Sequence, residues 1–221
     1  MKAKVFIAIP IYRYYEFQMK HSLDDMILQA KNWQVGVYRE LYHISLISKA
    51  RNFFAEEFLK SDCSHLFFMD TDIVCYTPNG MDILVDDNLP IVAAPYIYKD
   101  YPLKPAFRIG KTNEDGADLR GELKPVKAGY VSAGFMLIKR KVIEKVSEDK
   151  KTGFYIDSAE EVFQPLVYCK EYLSEDWAFC LRAKSKGFDC YVEPTIHLGH
   201  LGLYPYTMND YYRNYLNAKK V

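Results

Sequence analysis

Two carboxylates one residue apart, Asp70 and Asp72, follow directly on the apolar run Leu66-Phe67-Phe68-Met69. Four consecutive apolar side chains bounded by polar residues read as a buried strand. In an extended chain, residues i and i+2 point to one side, roughly 6–7 Å apart. Both acids are therefore expected together at the strand's carboxyl end, where open α/β sheets collect ligands. Paired carboxylates repel unless a cation separates them or one takes a proton. Hard oxygen ligands suit Mg²⁺ or Mn²⁺, whose remaining positions can carry a substrate diphosphate. The same two residues could equally be loop acids capping the next turn, so the rest of the chain has to decide.

A second group of candidates lies near the C-terminus. Ser174-Glu175-Asp176-Trp177 opens a helix, with Ser174 as N-cap and two acids in the first turn. Acids there are favoured for stability alone. The position also suits Asp176 as a general base accepting a hydroxyl proton. Trp177 is either a sugar-stacking platform or core. Further on, His197 and His200 stand three apart in a Gly-containing segment of a chain with five histidines. A lone histidine is usually structural, but beside an Asp pair it is a candidate third metal ligand.

Arg51 and Asn52 fall in the first turn of a helix read from Ser48 (its N-cap) to Leu59, with Ala50, Phe53, Phe54 and Phe58 as an apolar stripe. A cation in a first turn is disfavoured unless it faces an anion, and arginine is well shaped to hold a phosphate with two parallel hydrogen bonds. The alternative is a surface pair with Glu56 or Glu57.

Other elements must position these groups. Val5–Ile9 reads as a buried strand ended by Pro10, which cannot donate to a ladder. The loop Ile11-Tyr12-Arg13-Tyr14-Tyr15 either stacks on a base or covers a core edge. Residues 17–30 have helical spacing, and a short strand spans Trp33–Tyr38. After the Asp pair come a short helix around Ile83–Val85 and a strand at Ile91–Pro95. Between Lys99 and Lys127, prolines, glycines and dense charge predict an exposed hairpin or flexible loop. The small-residue turn Ala128–Gly134 lets backbone approach a ligand closely. It leads into a strand at Phe135–Ile138 and a helix at Arg140–Val146. Thr152–Val167 carries acids without a usable pattern. Gly187 closes the helix begun at Ser174, Phe188–Pro194 is a short strand, and the Tyr-rich tail Tyr204–Tyr215 is expected over the active-site side.

The 221 residues suffice for one domain with a sizeable core. With 49% apolar and 15% aromatic residues the chain is globular rather than disordered. Lys plus Arg, 29, balances Asp plus Glu, 29, which argues against a nucleic-acid or membrane-surface protein driven by bulk charge. No apolar run approaches the roughly 20 residues of a membrane span, and the N-terminus is too short and badly flanked for a signal peptide. Five scattered cysteines without a C-x-x-C pair fit reduced thiols in a cytoplasmic protein.

Taken in order, the first strand ending at Ile9-Pro10, Ala50-Arg51-Asn52, the strand into Asp70-Thr71-Asp72, Ala133-Gly134-Phe135-Met136-Leu137-Ile138, Ser174-Glu175-Asp176-Trp177, and Pro194 through Gly199-His200-Leu201-Gly202 resemble the GT-A glycosyltransferases, particularly their family-2-like group. The resemblance covers most of the chain. It implies an α/β GT-A fold (Rossmann-like, spore-coat-protein-A-like) with a mixed, mostly parallel sheet flanked by helices. One catalytic domain would span 1–221, with a nucleotide-sugar-binding half at 1–98 and an acceptor-side half at 99–221 whose flexible loop is 99–127. It also implies a UDP- or GDP-sugar donor, Mn²⁺ or Mg²⁺, and a hydroxyl acceptor on a glycan. By similarity Asp72 is the direct metal ligand, Asp70 contacts ribose or metal, and the late histidine maps to His200, with His197 the second choice. Pro10, Tyr12, Arg51, Asn52, Asp70 and Thr71 would surround the donor. Gly134, Trp177 and His197 would face the acceptor sugar, and Asp176, with Glu175 beside it, would deprotonate the acceptor in an inverting reaction. The Gln-x-x-Arg-Trp signature of processive synthases is missing, which favours transfer of a single sugar. Rival readings are a haloacid-dehalogenase-type phosphatase, whose Asp-x-Asp ends the first core strand, and a sugar- or nucleotide-binding module without catalysis. A sugar-nucleotide pyrophosphorylase would need a Gly-rich, Arg-containing loop after the first strand.

Overall fold

The structure is a computed structural model that describes residues 2–110, 118–148 and 162–218. The N-terminal apolar run forms β1 (Ala3–Ile11), buried from Val5 onward. It is followed by α1 (Phe17–Leu28), β2 (Trp33–Tyr42), α2 (Ile47–Lys60), β3 (His65–Met69), β4 (Ile73–Cys75), α3 (Gly80–Asp86) and β5 (Ile91–Ala93). Next come β6 (Phe107–Arg108), β7 (Val126–Ala128), β8 (Tyr130–Val131), β9 (Phe135–Lys139) and α4 (Arg140–Ser147). The last third holds β10 (Leu166–Tyr168), β11 (Glu171–Leu173), α5 (Glu175–Ser185), β12 (Cys190–Val192), β13 (Leu198–Leu201), β14 (Pro205–Thr207) and α6 (Met208–Ala218).

A seven-stranded sheet in the order β2-β1-β3-β9-β5-β12-β7 forms the centre. Strands β2, β1, β3, β5 and β12 run one way, and β9 and β7 run against them. This is the mixed, mostly parallel α/β sheet that the sequence predicts. Its inner strands β1, β3, β9 and β5 are apolar on both faces because both faces are covered. Leu66 and Phe68 of β3 enter one apolar layer with Phe54 and Phe58 of α2, while Phe67 and Met69 enter the opposite layer with Leu23 and Met26 of α1. A smaller antiparallel sheet, β14-β13-β4, stands beyond the end of β3 and sets His200 opposite Ile73. Among the described residues no helix is long and apolar enough to cross a membrane.

Several local expectations are corrected. Pro10 does not end β1; pairing with β3 stops at Ala8, and β1 continues beside β2 alone through Pro10 and Ile11, an edge where proline is tolerated. Ser48 is not the cap of α2: the N-cap is Leu46, and Ser48 is buried within the first turn. Phe53 leaves the apolar stripe and is 41% exposed; the helix instead turns Arg51 and Asn52 inward. The 99–127 segment is not simply an exposed hairpin. Phe107–Arg108 pairs with Tyr130–Val131, and Ala106, Phe107 and Leu119 are buried, while residues 111–117 lie outside the described residues. Most of the acidic 152–167 stretch also lies outside them.

Candidate active site

The strand β3 delivers Asp70, but the chain then turns instead of staying extended. Ile73 N–H donates to Asp70 O at 3.1 Å, and the freed carbonyls of Thr71 and Asp72 accept from Glu16 N at 3.0 Å and Leu201 N at 2.7 Å. The period-two geometry expected for Asp70 and Asp72 is therefore lost, and the two carboxylates take different partners.

Asp70 belongs to a buried cluster built on Arg51. The Arg51 guanidinium donates through Nη2 to Asp70 at 3.1 and 3.3 Å, through Nε to Glu175 at 3.0 Å, and through Nη1 to the Ala133 carbonyl at 3.4 Å. Because α2 starts at Ile47, Arg51 and Asn52 fall in its second turn rather than the expected first, and the anions that Arg51 faces are the protein's own. Burial works against its charge, and Asp70, Glu175 and Asp176 more than restore it, raising its pKa. Burial also raises the pKa of Asp70; Arg51 opposes that rise, whereas Asp72 and Asp176 add to it. Glu175 moves up for the same reasons, burial first, against Arg51 and with Asp176.

Asp176 is one residue into α5 and 7% exposed. Ser174 occupies the N-cap position but makes no capping bond to the helix; its hydroxyl donates to Asp176 Oδ1. The same oxygen accepts Trp177 N–H at 2.8 Å, and Oδ2 accepts Ala133 N–H at 3.2 Å. A carboxylate has about four lone-pair sites, so three donors leave capacity for one more proton. Beside it, Gly134 passes its carbonyl to Asp70 N–H at 2.9 Å and its N–H to the Tyr96 hydroxyl at 3.2 Å. A Cβ at Gly134 would stand 2.6 Å from that hydroxyl, so only glycine permits this approach. Tyr96 is buried, and burial followed by the charges of Asp70 and Asp176 pushes its pKa well up.

Asp72 faces a second group. Its Oδ2 lies 3.4 Å from His200 Nε2 and carries the Lys99 ammonium. Burial would raise this carboxyl, but the hydrogen bonds and charges of His200 and Lys99 prevail and hold it down at about 2. His200 Nδ1 lies 2.8 Å from the Ile97 carbonyl. A carbonyl only accepts, so Nδ1 bears a hydrogen toward Ile97, which fixes the ring with Nε2 toward Asp72.

The three metal ligands expected from the sequence are therefore not assembled. Asp70 is spent on Arg51, and among the described residues no three His, Cys, Asp or Glu side chains gather as a metal would need. Asp72 and His200 do fit a divalent ion as a pair: their donor atoms are 3.4 Å apart, a separation two ligands at about 2.1 Å from one ion can adopt, and the outer nitrogen of the ring is already held.

The remaining candidates are scattered. Pro10 is buried in β1, and Tyr12, 54% exposed, lies under the Arg13 guanidinium. Asn52 bonds the backbone of Phe163 through both ends of its amide. Trp177 is stacked on Tyr130 at 5.1 Å, and its indole N–H reaches Ser132. His197 lines a separate cleft of about 380 Å³ with Tyr76, Pro95, Leu119 and Tyr212, away from the carboxylates above. Sequence reasoning missed Tyr96 and Lys99. Tyr96 could have been found, because it stands just past the carboxyl end of a predicted strand. Lys99 gave no local signal.

Sequence comparison with protein-family models and with curated proteins gives no match. Among solved structures, the chain is similar to A197 from STIV, with a TM-score of 0.59 and 16% identity over 90% of this chain and 86% of that one. It is also similar to GalNAc-T7 crystallised with UDP, GalNAc and Mn²⁺, at a TM-score of 0.47 and 12% identity, over 91% of this chain and 44% of that one. A putative glucose-1-phosphate thymidylyltransferase from Bacillus anthracis gives a TM-score of 0.49 and 10% identity, over 89% of each chain. Such identities speak to the fold; at TM-scores below 0.5 the last two carry no further weight, and the chemistry has to be argued from this chain's own residues.

Proposed function

We propose that this protein is a glycosyltransferase that moves a single sugar from a UDP- or GDP-linked donor to a hydroxyl of a glycan acceptor, with inversion. The observation that carries the reading is the Arg51 bridge, which ties the Asp70-Thr71-Asp72 turn to the Glu175-Asp176 pair at the start of α5. One buried side chain thereby sets a cation-binding edge, Asp72 with His200, beside a carboxylate that can take a proton.

In this reaction the acceptor oxygen attacks the anomeric carbon and the bond from that carbon to the diphosphate breaks. Asp176 accepts the hydroxyl proton, and the nucleoside diphosphate departs with the bonding pair. Glu175 helps to hold Arg51, and Arg51 holds Asp70 and the turn. The Tyr96 hydroxyl packs directly on the Gly134 backbone, which fixes the turn whose Ala133 N–H donates to Asp176. Mn²⁺ or Mg²⁺, when bound by Asp72 and His200, would supply charge to offset the departing diphosphate. The site's own groups support that reading: the acids Asp70, Asp72, Glu175 and Asp176 outnumber the bases Arg51 and Lys99, so an anionic diphosphate would gain from an added cation.

The test is Asp176→Asn assayed for sugar transfer with a panel of UDP- and GDP-sugars and glycan acceptors. Loss of the general base should lower turnover by about 10²–10⁴ while nucleotide binding persists. A variant that turns over within about threefold of wild type would remove Asp176 from this role.

A further inference from the structure

The reading of Asp72 and His200 as ion ligands leaves Lys99 without a task, although its ammonium rests on the same Asp72 oxygen that faces His200 Nε2 at 3.4 Å. We propose that Lys99 is a tethered competitor of the divalent cation: it holds Asp72 in the free protein, yields that oxygen to an incoming ion, and then turns to the donor's diphosphate. This rests on the proposed ion site and adds a residue that governs its loading.

Four observations converge on Lys99. Its pair with Asp72 is about one-third exposed on both sides, 32% and 33%, and ion pairs open to water to that degree are weak and exchange readily. Its stem is laid down by the fold: at Gly202 a Cβ would stand 3.0 Å from Lys99 Cδ. The backbone at Gly202 is not in the left-handed region, so the close passage of Lys99 is what a side chain there would disturb. The segment that carries Lys99 also orients His200, through the Ile97 carbonyl two residues earlier. Finally, one carboxylate oxygen already 3.4 Å from His200 Nε2 cannot hold an ammonium and a doubly charged ion at once, because the two cations repel at contact distance.

The released ammonium remains tethered within a side chain's length of Asp72. Lysine binds phosphate as a point charge, so a diphosphate carried in with the ion offers it a new partner. Ion and nucleotide would then each favour binding of the other, as linkage requires. No proton or bond changes hands; the step is an exchange of counter-ions.

The experiment is a titration of the full chain with Mn²⁺ alone, followed by the loss of the free-ion electron paramagnetic resonance signal. Lys99→Met, which keeps the stem and removes the charge, should bind Mn²⁺ about tenfold more tightly than wild type. Lys99→Arg should resemble wild type, and Asp72→Asn should lose saturable binding. Equal or weaker binding by Lys99→Met, with Asp72→Asn still abolishing it, would overturn the role of Lys99 and leave the ion site standing. No saturable binding in wild type or Lys99→Met would overturn the ion site and the inference together.

Discussion

Arg51 carries its charge with 3% of its side chain exposed, and an ion so placed is tolerable only among opposite charges. Removing it would strand Asp70 and Glu175 in a half-dry environment. Breaking a buried pair from one side costs about 3–5 kcal/mol, so Arg51→Met should lower unfolding free energy by that amount in a urea titration. A change below about 1 kcal/mol would mean that the bridge does not hold the site together. The sequence placed Arg51 near the start of a helix, where a cation needs an anion, although α2 begins at Ile47 and Arg51 falls in its second turn. It could not show which anion, because Asp70 is 19 residues away and Glu175 is 124 away, and no local pattern reports such separations. The same limit hid the split of the Asp pair. Period two holds only while the chain is extended, and here Leu201 N–H and Glu16 N–H pull Asp72 and Thr71 into a turn.

At the scale of elements, β3, β9 and α5 were legible because each carries its own mark: apolar runs for the strands, and a polar-acidic start with a closing Gly187 for the helix. The 99–127 segment was not, since β6 is only Phe107–Arg108 and gains its order from β8 across the chain. One junction between elements has a pH consequence. Asp87 ends α3 beside the buried Glu193 that follows β12, and its Oδ2 finds no hydrogen-bond donor among the described residues. Burial first, then Glu193 and Asp86, push its pKa up to about 7. The folded protein therefore keeps a proton that the unfolded chain, at the ordinary value of 3.8, releases. Stability from this group is full below that ordinary value and is lost as pH rises through 7. The contribution of Asp87 to the melting temperature should accordingly fall between about pH 5 and 7 and level off above, and Asp87→Asn should flatten that fall by about 2 °C. Parallel curves for the two proteins would show that the proton is not held there.

Across the whole molecule, the fold class came from the order of motifs that carries the family resemblance, and the balance of 29 basic and 29 acidic residues argued against a partner held by bulk charge. The balance is not uniform. Asp70, Asp72, Glu175 and Asp176 come together from segments a hundred residues apart, where the carboxyl end of β3 meets the start of α5. Under the proposed function, that local excess would tie donor binding to a cation, and this is the central claim. It is tested most directly by the shift in melting temperature with UDP, GDP and their sugars, each with Mn²⁺ or with a chelator. A ligand at about 100 times its Kd adds about 2.7 kcal/mol to a folded state that alone binds it. One nucleotide should raise the melting temperature by about 5–10 °C with Mn²⁺, and Asp72→Asn should abolish the rise. No shift with any nucleotide, or a shift that survives both the chelator and Asp72→Asn, would contradict it.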